Sequence, residues 1–348
     1  MHLEKQRKIK GKVLVAMSGG IDSSVAAALL KKAGFDIVGV FMKLNNLSHL
    51  KESEKMAERV SKILKVSFSV IDLRKEFKKK VIDCFLKEYK KGKTPNPCVV
   101  CNKEIKFGLL LEKALKMGAD FLATGHYIKI KKIREKICLF KGGEKDQSYF
   151  LWKLNQKQLG RIFFPVGHYD KDEVRGLAKE FKLPFLKVPE SQEICFVPND
   201  INIFLSKYFK PKPGKIVDKQ GKILGLHHGL YFYTIGQRKG INLSGGPYYV
   251  LEKDLKKNNL IVTKNEKDLG RKELIAGSVN WISGNKPKFP LKVKAKIRYR
   301  HESVLATVSL LNKKNIKVIF NKSQRAVTSG QSVVFYKDKK LLGGGIIC

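Results

Sequence analysis

The sequence predicts an α/β protein with a catalytic domain built on a parallel sheet, followed by a small β-rich central domain and a C-terminal β-barrel. In roughly the first two hundred residues, apolar strand-like runs alternate with amphipathic helical stretches. From Lys215 onward, short strand-sized runs recur between turn signals. A chain of 348 residues also exceeds the size at which one core usually stops growing. We therefore expect three domains, at residues 1–210, 211–278 and 279–348.

The first domain is expected to open with a strand at Val13–Met17, followed by a helix at Ser23–Ala33. Its later strands and helices are predicted at Ile37–Phe41, Lys51–Leu64, Phe68–Ile71, Arg74–Lys90, Lys103–Met117, Phe121–Ala123, Gln147–Leu154 and Lys171–Phe181, with a hairpin within Tyr127–Lys141. Composition shifts to Pro, Gly and β-formers at Pro211–Gly214. Barrel strands are predicted at Val293–Arg300, Leu305–Leu311, Ile316–Phe320 and Ser332–Tyr336.

The charge balance favours a polyanionic partner such as nucleic acid. Lys and Arg number 71 against 31 Asp and Glu, a formal charge of +40. A lysine-rich solvated surface is the alternative explanation. No apolar run reaches the roughly 18 residues of a membrane span, and Met1–Lys12 lacks the apolar core of a secretory signal and the Arg/Ser-rich character of an organellar leader. We therefore expect a bacterial-type cytoplasmic protein, whose six cysteines are reduced thiols.

The strongest local motif is a phosphate-binding loop between the first strand and the first helix. Two glycines flanked by serines let backbone N–H groups approach an anion, and the helix N-terminus adds a favourable dipole. A Walker loop and a Rossmann Gly-x-Gly-x-x-Gly are both absent at this position. The residues predicted to bind the nucleotide here are Ala16, Met17, Ser18, Gly19, Gly20, Ile21, Asp22 and Ser23.

Two cysteines, Cys98 and Cys101, stand three residues apart at the start of a predicted helix. A helix N-terminus favours thiolates, and Lys103 adds a nearby positive charge, so we expect Cys101 to have a lowered pKa and nucleophilic character. Cys195 lies far away in sequence and could converge on the same site. The other cysteines, Cys84, Cys138 and Cys348, lack such a context. A structural zinc site would need a fourth ligand, and the sequence offers no second Cys-x-x-Cys or His pair.

Three segments carry features suited to RNA. Lys145, Asp146 and Gln147 join charge and amide groups next to aromatic residues, although an ordinary helix start would look the same. Arg298 and Tyr299 lie in an Arg-Tyr-Arg-His string on a predicted barrel strand, where a solvated strand face is the alternative. The Gly236–Gly240 string places two positive charges between glycines, which either supports RNA or forms a plain hairpin.

The loop Ser18–Ser24 resembles that of the ATP-pyrophosphatases, which split ATP into AMP and pyrophosphate while adenylating a carbonyl or amide oxygen. Further strings extend the likeness over almost the whole chain, which resembles the tRNA-specific 2-thiouridylase (MnmA/TrmU) family. The matching strings are Ser18–Ser24, Thr94–Phe107, Ala123–Tyr127, Lys145–Leu151, Glu190–Val197, Gly236–Gly240, Arg298–Arg300, Ala326–Gln331 and Leu342–Ile346.

The resemblance implies ATP-dependent 2-thiolation of the wobble uridine in glutamate, glutamine and lysine tRNAs. Cys195 would carry a persulfide received from a sulfur-relay or cysteine desulfurase protein, and Cys101 would be the nucleophile, ending with released hydrosulfide or a transient disulfide. Asp22 would help to hold Mg²⁺ or orient the triphosphate. The resemblance also implies that Met42 and Gly125 face the adenine or ribose, and that the tRNA and its target base are contacted by Asn96, Pro97, Cys98, His126 and Gln331.

One departure from the family pattern leaves a second mechanism open. Some members carry an acidic residue where this chain has Cys98, and three thiolates at Cys98, Cys101 and Cys195 could hold an iron–sulfur cluster that binds hydrosulfide. A different ATP-pyrophosphatase, acting on another tRNA position, would keep the phosphate loop without the paired cysteines. A non-catalytic RNA-binding or chaperone protein would use only the charge.

Overall fold

A five-stranded parallel sheet forms the centre of the first domain, as the sequence predicts. The computed structural model describes residues 11–184, 194–198 and 200–348. The strands run in the order β3-β2-β1-β4-β7, and each adjacent pair is parallel. They are β1 (Lys12–Ala16), β2 (Asp36–Lys43), β3 (Ser67–Asp72), β4 (Phe121–Ala123) and β7 (Ile162–Phe163). The order reverses direction between β1 and β4, which opens a crevice at their carboxyl ends.

Seven helical segments accompany this sheet in the described part of the chain, and two of them contain π-helical turns. They are α1 (Ile21–Lys32), α2 (His49–Ile63), α3 (Arg74–Phe77, π-helical Lys78–Ile82 and Asp83–Lys90), α4 (Pro97–Cys101, π-helical Asn102–Leu110 and Leu111–Lys116), α5 (Gln156–Leu159), α6 (Lys171–Glu180) and α7 (Ile201–Ser206). A π-helix closes i to i+5 hydrogen bonds, so it changes which side chains share a face. In α4, the π-helical segment begins directly after Cys101, one of the candidate thiols.

The helix predicted over Gln147–Leu154 is wrong, because this segment holds only a 3₁₀ turn at Ser148–Phe150. Tyr149 and Trp152 are fully buried. The Tyr149 hydroxyl donates to the Ser332 carbonyl at 2.9 Å, and the Trp152 indole N–H donates to the Ser332 hydroxyl at 3.0 Å. Anchoring to the C-terminal domain therefore decides the backbone here, since buried indole and phenol groups need such partners.

A four-stranded sheet in the order β10-β11-β8-β9 forms the central domain. Its strands are β8 (Gly214–Val217), β9 (Ile223–His227), β10 (Tyr249–Asp254) and β11 (Asn259–Thr263), with 3₁₀ turns at Leu230–Phe232 and Glu266–Leu269. Ile216, Val250 and Leu260 pack in its small core without exposure to solvent. This confirms the β-rich central domain.

The C-terminal domain is an antiparallel barrel. Its strands are β12 (Gly270–Trp281), β13 (Leu291–Lys296), β14 (Val304–Leu310), β15 (Ile316–Arg325), β16 (Ser332–Lys337) and β17 (Lys340–Ile347). Strand β12 pairs with both β15 and β17, which closes the barrel. A hairpin of the first domain, β5 (Ile128–Ile133) with β6 (Lys136–Lys141), pairs with β17 and extends the same sheet. The first domain and the barrel therefore share one continuous sheet.

One placement in the barrel differs from the prediction. Residues 298–301 were expected on a strand, but β13 ends at Lys296 and they form the bend and turn after it. A turn presents its side chains in several directions, whereas a strand alternates them between two faces. Within the described ranges, no helix combines the length and apolar character needed to cross a membrane.

Candidate active site

The phosphate loop follows β1 and enters α1 in the geometry of an anion site. The Ser18 N–H donates to the Ser23 hydroxyl at 3.1 Å, and that hydroxyl donates to the Gly20 carbonyl at 3.0 Å. Gly19 has φ of +78°, and a Cβ there would lie 2.2 Å from the Ser53 carbonyl oxygen. The N-cap residue of α1 is Gly20, which has no side chain to cap the helix. The helix therefore presents its first-turn N–H groups to an anion at the sheet crevice.

The loop after β4 packs directly on this helix start. A Cβ at Gly125 would lie 2.7 Å from the Ser23 nitrogen and from the Asp22 carbonyl carbon. Only glycine therefore allows this close approach. Met42 lies at the carboxyl end of β2, next to β1, and is partly buried. Gly125 and Met42 thus border the crevice in which the predicted adenine and ribose contacts would lie.

Asp22 has two partners that the sequence did not reveal. Its Oδ1 accepts a hydrogen bond from the Tyr127 hydroxyl at 2.6 Å and from the Lys171 ammonium at 2.7 Å. Tyr127 follows β4, and Lys171 opens α6, far along the chain. Only the packing of α6 beside α1 brings Lys171 here, so no local signal in the sequence could have identified it.

Cys98 and Cys101 lie in the first turns of α4. The Asn96 side chain caps this helix by accepting from the Val99 N–H at 3.4 Å, and Pro97 occupies the first helical position. Pro favours this position because its missing N–H has no helical partner there in any case. Cys101 is buried and Cys98 is half-buried. The cap and the proline thus define where both thiols stand.

Cys195 reaches the same region from a turn closed by the Val197 N–H, which donates to the Ile194 carbonyl at 2.8 Å. Phe196 packs against Phe85 with ring centroids 5.3 Å apart, in an apolar cluster that also contains Cys101. Unlike the other two thiols, Cys195 is exposed to solvent. The structure therefore brings all three predicted cysteines into one neighbourhood. The preceding residues of the matching string, Glu190–Glu193, lie outside the described residues.

The expected low pKa of Cys101 is wrong. Burial raises the pKa of the Cys101 thiol to about 12 and that of the Cys98 thiol to about 11. Desolvation by the surrounding protein atoms also raises the pKa of the Cys195 thiol, although part of that residue's surface is exposed. Desolvation penalises the thiolate more than the helix N-terminus favours it. The Lys103 ammonium, which the sequence suggested as the activating charge, donates instead to the Gln158 side chain at 2.9 Å.

The cation that acts on the thiols is Lys106, which the sequence analysis missed. Its positive charge lowers the pKa of Cys98, Cys101 and Cys195 against the larger effect of burial. Lys106 lies in the π-helical part of α4, five positions after Cys101. A residue five positions on shares a face in a π-helix but not in an α-helix, where neighbours are three or four apart.

His126 also faces this charge. Burial, followed by the nearby Lys106, lowers its pKa well below the usual histidine value. Its Nδ1 lies 2.7 Å from the Thr124 hydroxyl, and its ring lies beside Phe107 at a centroid distance of 5.6 Å. His126 is therefore neutral at physiological pH, and the Lys106 charge that lowers its pKa also acts on the three thiols.

The other predicted tRNA-contacting residues are held by protein partners. Asp146 accepts bonds from Ser148, and Gln147 accepts from the Tyr127 N–H at 3.0 Å. Arg298 donates to the Ala326 carbonyl, and Tyr299 packs on Phe150 with centroids 4.6 Å apart. Gln331 donates to the Thr94 carbonyl at 2.8 Å, next to the thiol helix. Lys145 is half-buried beside Asp146.

A metal cluster does not fit the arrangement of these side chains. In residues 11–184, 194–198 and 200–348, no three His, Cys, Asp or Glu side chains are grouped closely enough to hold a metal ion. A cuboidal cluster on three cysteines would need their sulfurs to surround one small volume. The phosphate loop differs, because the N-cap residue of α1 makes no side-chain capping bond, and uncapped N–H groups at a helix start suit an anion.

The parallel sheet and the phosphate loop at its reversal point define a nucleotide-binding protein of the HUP class. Residues 11–199 match the family model described as tRNA methyl transferase HUP domain. Residues 202–264 match the tRNA methyl transferase PRC-barrel domain, and residues 271–347 match the Aminomethyltransferase beta-barrel domain. Relatives identical at 46% over almost the full length are named tRNA-specific 2-thiouridylase, and the chain belongs to that family.

Two relatives and one solved structure illustrate this kinship. The tRNA-specific 2-thiouridylase MnmA 2 of Thermoanaerobacter sp. (strain X514) is 46% identical over 360 residues, covering 98% of both chains. The tRNA-specific 2-thiouridylase MnmA of Clostridioides difficile (strain 630) is 45% identical and covers 97% of this chain and 98% of its own. The U34-tRNA thiolase NcsA from Methanococcus maripaludis, solved with its [4Fe-4S] cluster, is 18% identical, with 59% of this chain and 70% of its own covered and a TM-score of 0.38. That last likeness is too distant to indicate a shared ligand.

Proposed function

We propose that this protein uses ATP to replace the C2 oxygen of the wobble uridine with sulfur in glutamate, glutamine and lysine tRNAs. One observation carries the proposal: the domain that holds the phosphate loop also holds three thiols whose pKa values are lowered by the charge of Lys106. Met42, at the carboxyl end of β2, packs against the apolar cluster that contains Cys101. The domain models are described with the words methyl transferase, whereas the curated relatives are named 2-thiouridylases. Of these two activities, the clustered thiols favour sulfur transfer over methyl transfer.

Exposure of the thiols supports separate roles for two of them. Cys195 is exposed, so a donor protein, either a cysteine desulfurase or a sulfur-relay protein, could load a persulfide on it. Cys101 is buried, and burial raises the pKa of its thiol. The thiol form resists adventitious oxidation, because the thiolate is the reactive form. We assign Cys195 as the persulfide carrier and Cys101 as the nucleophile that completes the transfer.

The proposed reaction balances in two stages. ATP supplies the adenylyl group: uridine O2 bonds to the α-phosphorus, and pyrophosphate leaves with the electron pair of the broken phosphoanhydride. The terminal persulfide sulfur of Cys195 then attacks C2, and AMP leaves with the former O2. The Cys101 thiolate attacks Sγ of Cys195, which forms a Cys101–Cys195 disulfide and leaves the thiocarbonyl. An external thiol reductant then restores both cysteines.

Binding and positioning fall to the side chains around this chemistry. We propose that Asn96, Pro97 and Cys98 surround the target base, and that neutral His126 faces it from the β4 side. Lys145, Arg298 and Tyr299 would meet the RNA backbone, in keeping with the formal charge of +40. Mg²⁺ would bind chiefly to phosphate oxygens, with Asp22 as the carboxylate of the loop. A cytoplasmic location follows from a tRNA substrate and is part of the proposal.

An anaerobic thiolation assay tests the function. Purified protein receives unmodified glutamate tRNA, Mg-ATP and either sulfide or a persulfide donor, and mass spectrometry measures 2-thiouridine and AMP. With the persulfide donor and a thiol reductant, we expect both products in equal amounts without added iron. Turnover only after iron reconstitution would replace the persulfide route with a cluster on Cys98, Cys101 and Cys195. Folded, tRNA-binding protein that forms neither product with either donor would refute the proposal.

A further inference from the structure

An unusual ion pair lies at the entrance of the phosphate loop. The Lys171 ammonium donates to Asp22 Oδ1 at 2.7 Å, and the two side chains are only 14% and 33% exposed. The Tyr127 hydroxyl donates to the same carboxylate oxygen at 2.6 Å. The ammonium also lies 5.8 Å from the centroid of the Tyr127 ring, close enough for a cation–π contact. The ammonium is thus fixed at one point beside the start of α1.

The helix that carries Lys171 is itself fixed at its N-terminus. The Asp170 carboxylate accepts from the Glu173 N–H at 2.8 Å, and the Glu173 carboxylate accepts from the Asp170 N–H at 2.7 Å. This capping box sets where α6 begins. Farther along, Val174 and Ala178 pack fully buried in the same core as Val25 of α1. The first turns of α1 and α6 therefore meet at the same edge of the sheet.

Electrostatics makes this a poor place for a purely structural lysine. Helix N-termini carry partial positive charge, so an ammonium beside the starts of α1 and α6 is repelled by both dipoles. Asp170, Asp172 and Glu173 offset the dipole at the start of α6, whereas Asp22 is the acidic residue in the first turn of α1. A largely buried ion pair also carries a desolvation penalty, so the pair by itself is weak evidence for a purely structural role. The arrangement fits an anion of higher charge than one carboxylate.

The phosphate loop also lacks a cation of its own. A Walker loop carries a lysine that reaches the β- and γ-phosphates, whereas residues 18–24 here contain only Ser, Gly, Ile and Asp. Backbone N–H groups can bind a triphosphate, but they do not neutralise it. A lysine supplied from another helix would fill this role, and Lys171 is the ammonium that the structure places against the loop.

We propose that Lys171 binds the β- or γ-phosphate of ATP and neutralises pyrophosphate as it leaves, with Asp22 and Tyr127 as the residues that position it. As uridine O2 bonds to the α-phosphorus, the bond to the bridging oxygen breaks and its electron pair moves to pyrophosphate, beside the ammonium. The role of Lys171 is electrostatic, and no proton is transferred in this step. The inference rests on the proposed function only in taking ATP as the substrate.

Calorimetric titration of the full-length protein with Mg-ATP, AMP and pyrophosphate tests this role. Lys171→Met keeps the aliphatic stem and removes the charge. A hydrogen bond to a charged group contributes about 1.5–3 kcal/mol, so Mg-ATP and pyrophosphate should bind about 10–150-fold more weakly. AMP, which lacks the leaving phosphates, should bind as it does to the unaltered protein. Lys171→Arg should recover part of the loss, because it restores the charge with a different shape.

Arg175→Met is the matched control, since Arg175 lies on the same helix and pairs with Asp172 on its exposed face; all three affinities should stay unchanged. Equal weakening of AMP and ATP by Lys171→Met would reduce Lys171 to a structural residue, and unchanged ATP affinity would overturn the proposal. Failure of the unaltered protein to bind Mg-ATP would instead refute the proposed function.

Lysine acetylation of the unaltered protein gives a second measurement that needs no folded variant. Peptide mass spectrometry follows the modification of Lys171 by an acetylating reagent. Mg-ATP and pyrophosphate should slow it several-fold, while AMP should not. Equal rates with and without pyrophosphate would also overturn the proposal.

Discussion

The phosphate loop and the thiol cluster are built in opposite ways. The loop is contiguous: Ser18, Ser23 and Gly20 bond to one another within six residues of chain, and we propose that its backbone N–H groups bind the phosphates. The thiol cluster joins α4 to the distant turn of Cys195, and burial dominates its electrostatics. The loop is thus ready for its ligand, whereas thiols with raised pKa values require further positive charge or loss of a proton before they react.

Substitution of the thiols should have the largest effect on thiolation. It should leave ATP binding at the phosphate loop unchanged, which separates the functions of the two regions. Cys101→Ser and Cys195→Ser should each abolish 2-thiouridine formation while ATP and tRNA affinities stay unchanged, since neither thiol contributes to the phosphate loop. The matched controls Cys84→Ser, Cys138→Ser and Cys348→Ser should retain full activity. Mass spectrometry of the tRNA and calorimetry with ATP measure both properties. Thiolation that survives Cys195→Ser would show that the two regions are not coupled as we propose.

Gly125→Ala should damage the nucleotide region alone. Its Cβ would lie 2.7 Å from the Ser23 nitrogen, and overpacking of this kind costs about 1–3 kcal/mol. We expect ATP affinity to fall about 5–150-fold, with the alkylation rates of the cysteines unchanged. Gly176→Ala is the control, because a Cβ there meets nothing within 4 Å. Undiminished ATP affinity in Gly125→Ala would mean that the loop after β4 does not border the nucleotide.

Lys106→Met should affect the thiol region alone. The Lys106 charge lowers the pKa of the Cys101 and Cys195 thiols, so its removal should raise both pKa values further. At a pH below the pKa, each unit of increase lowers the thiolate fraction about tenfold. The rate of iodoacetamide alkylation plotted against pH should therefore move to higher pH. Lys103→Met is the matched control, and an equal displacement there would show that the effect is not specific to Lys106.

Gln331→Ala should have the smallest effect on thiolation, and it tests whether the barrel positions the thiols or contacts the tRNA. Gln331 donates to the Thr94 carbonyl at 2.8 Å, ahead of the thiol helix, and a neutral hydrogen bond contributes about 0.5–1.5 kcal/mol. If Gln331 acts by positioning the thiols, kcat for thiolation should fall several-fold with KM for tRNA unchanged. A rise in KM with unchanged kcat would instead indicate direct contact with tRNA.

How much of the site the sequence revealed depends on how far apart its parts lie in the chain. Ser18–Ser24 and the pair Cys98 and Cys101 were predicted because each set is local. The pKa of Cys101 was predicted in the wrong direction, since the sequence showed the helix start and Lys103 but not the burial. Lys106 was missed because the π-helical turn, which places it on the face of Cys101, leaves no recognisable pattern in the sequence.

The sequence by itself determined the parallel sheet, the phosphate loop, the β-rich central domain and the C-terminal barrel, because periodicity and turn chemistry are local properties. The tertiary structure alone decided that Lys171 meets Asp22, that Cys195 joins Cys101, and that Tyr149 and Trp152 anchor to the barrel instead of forming a helix. The physical reason is that burial, charge coupling and hydrogen-bond satisfaction depend on which distant segments pack together.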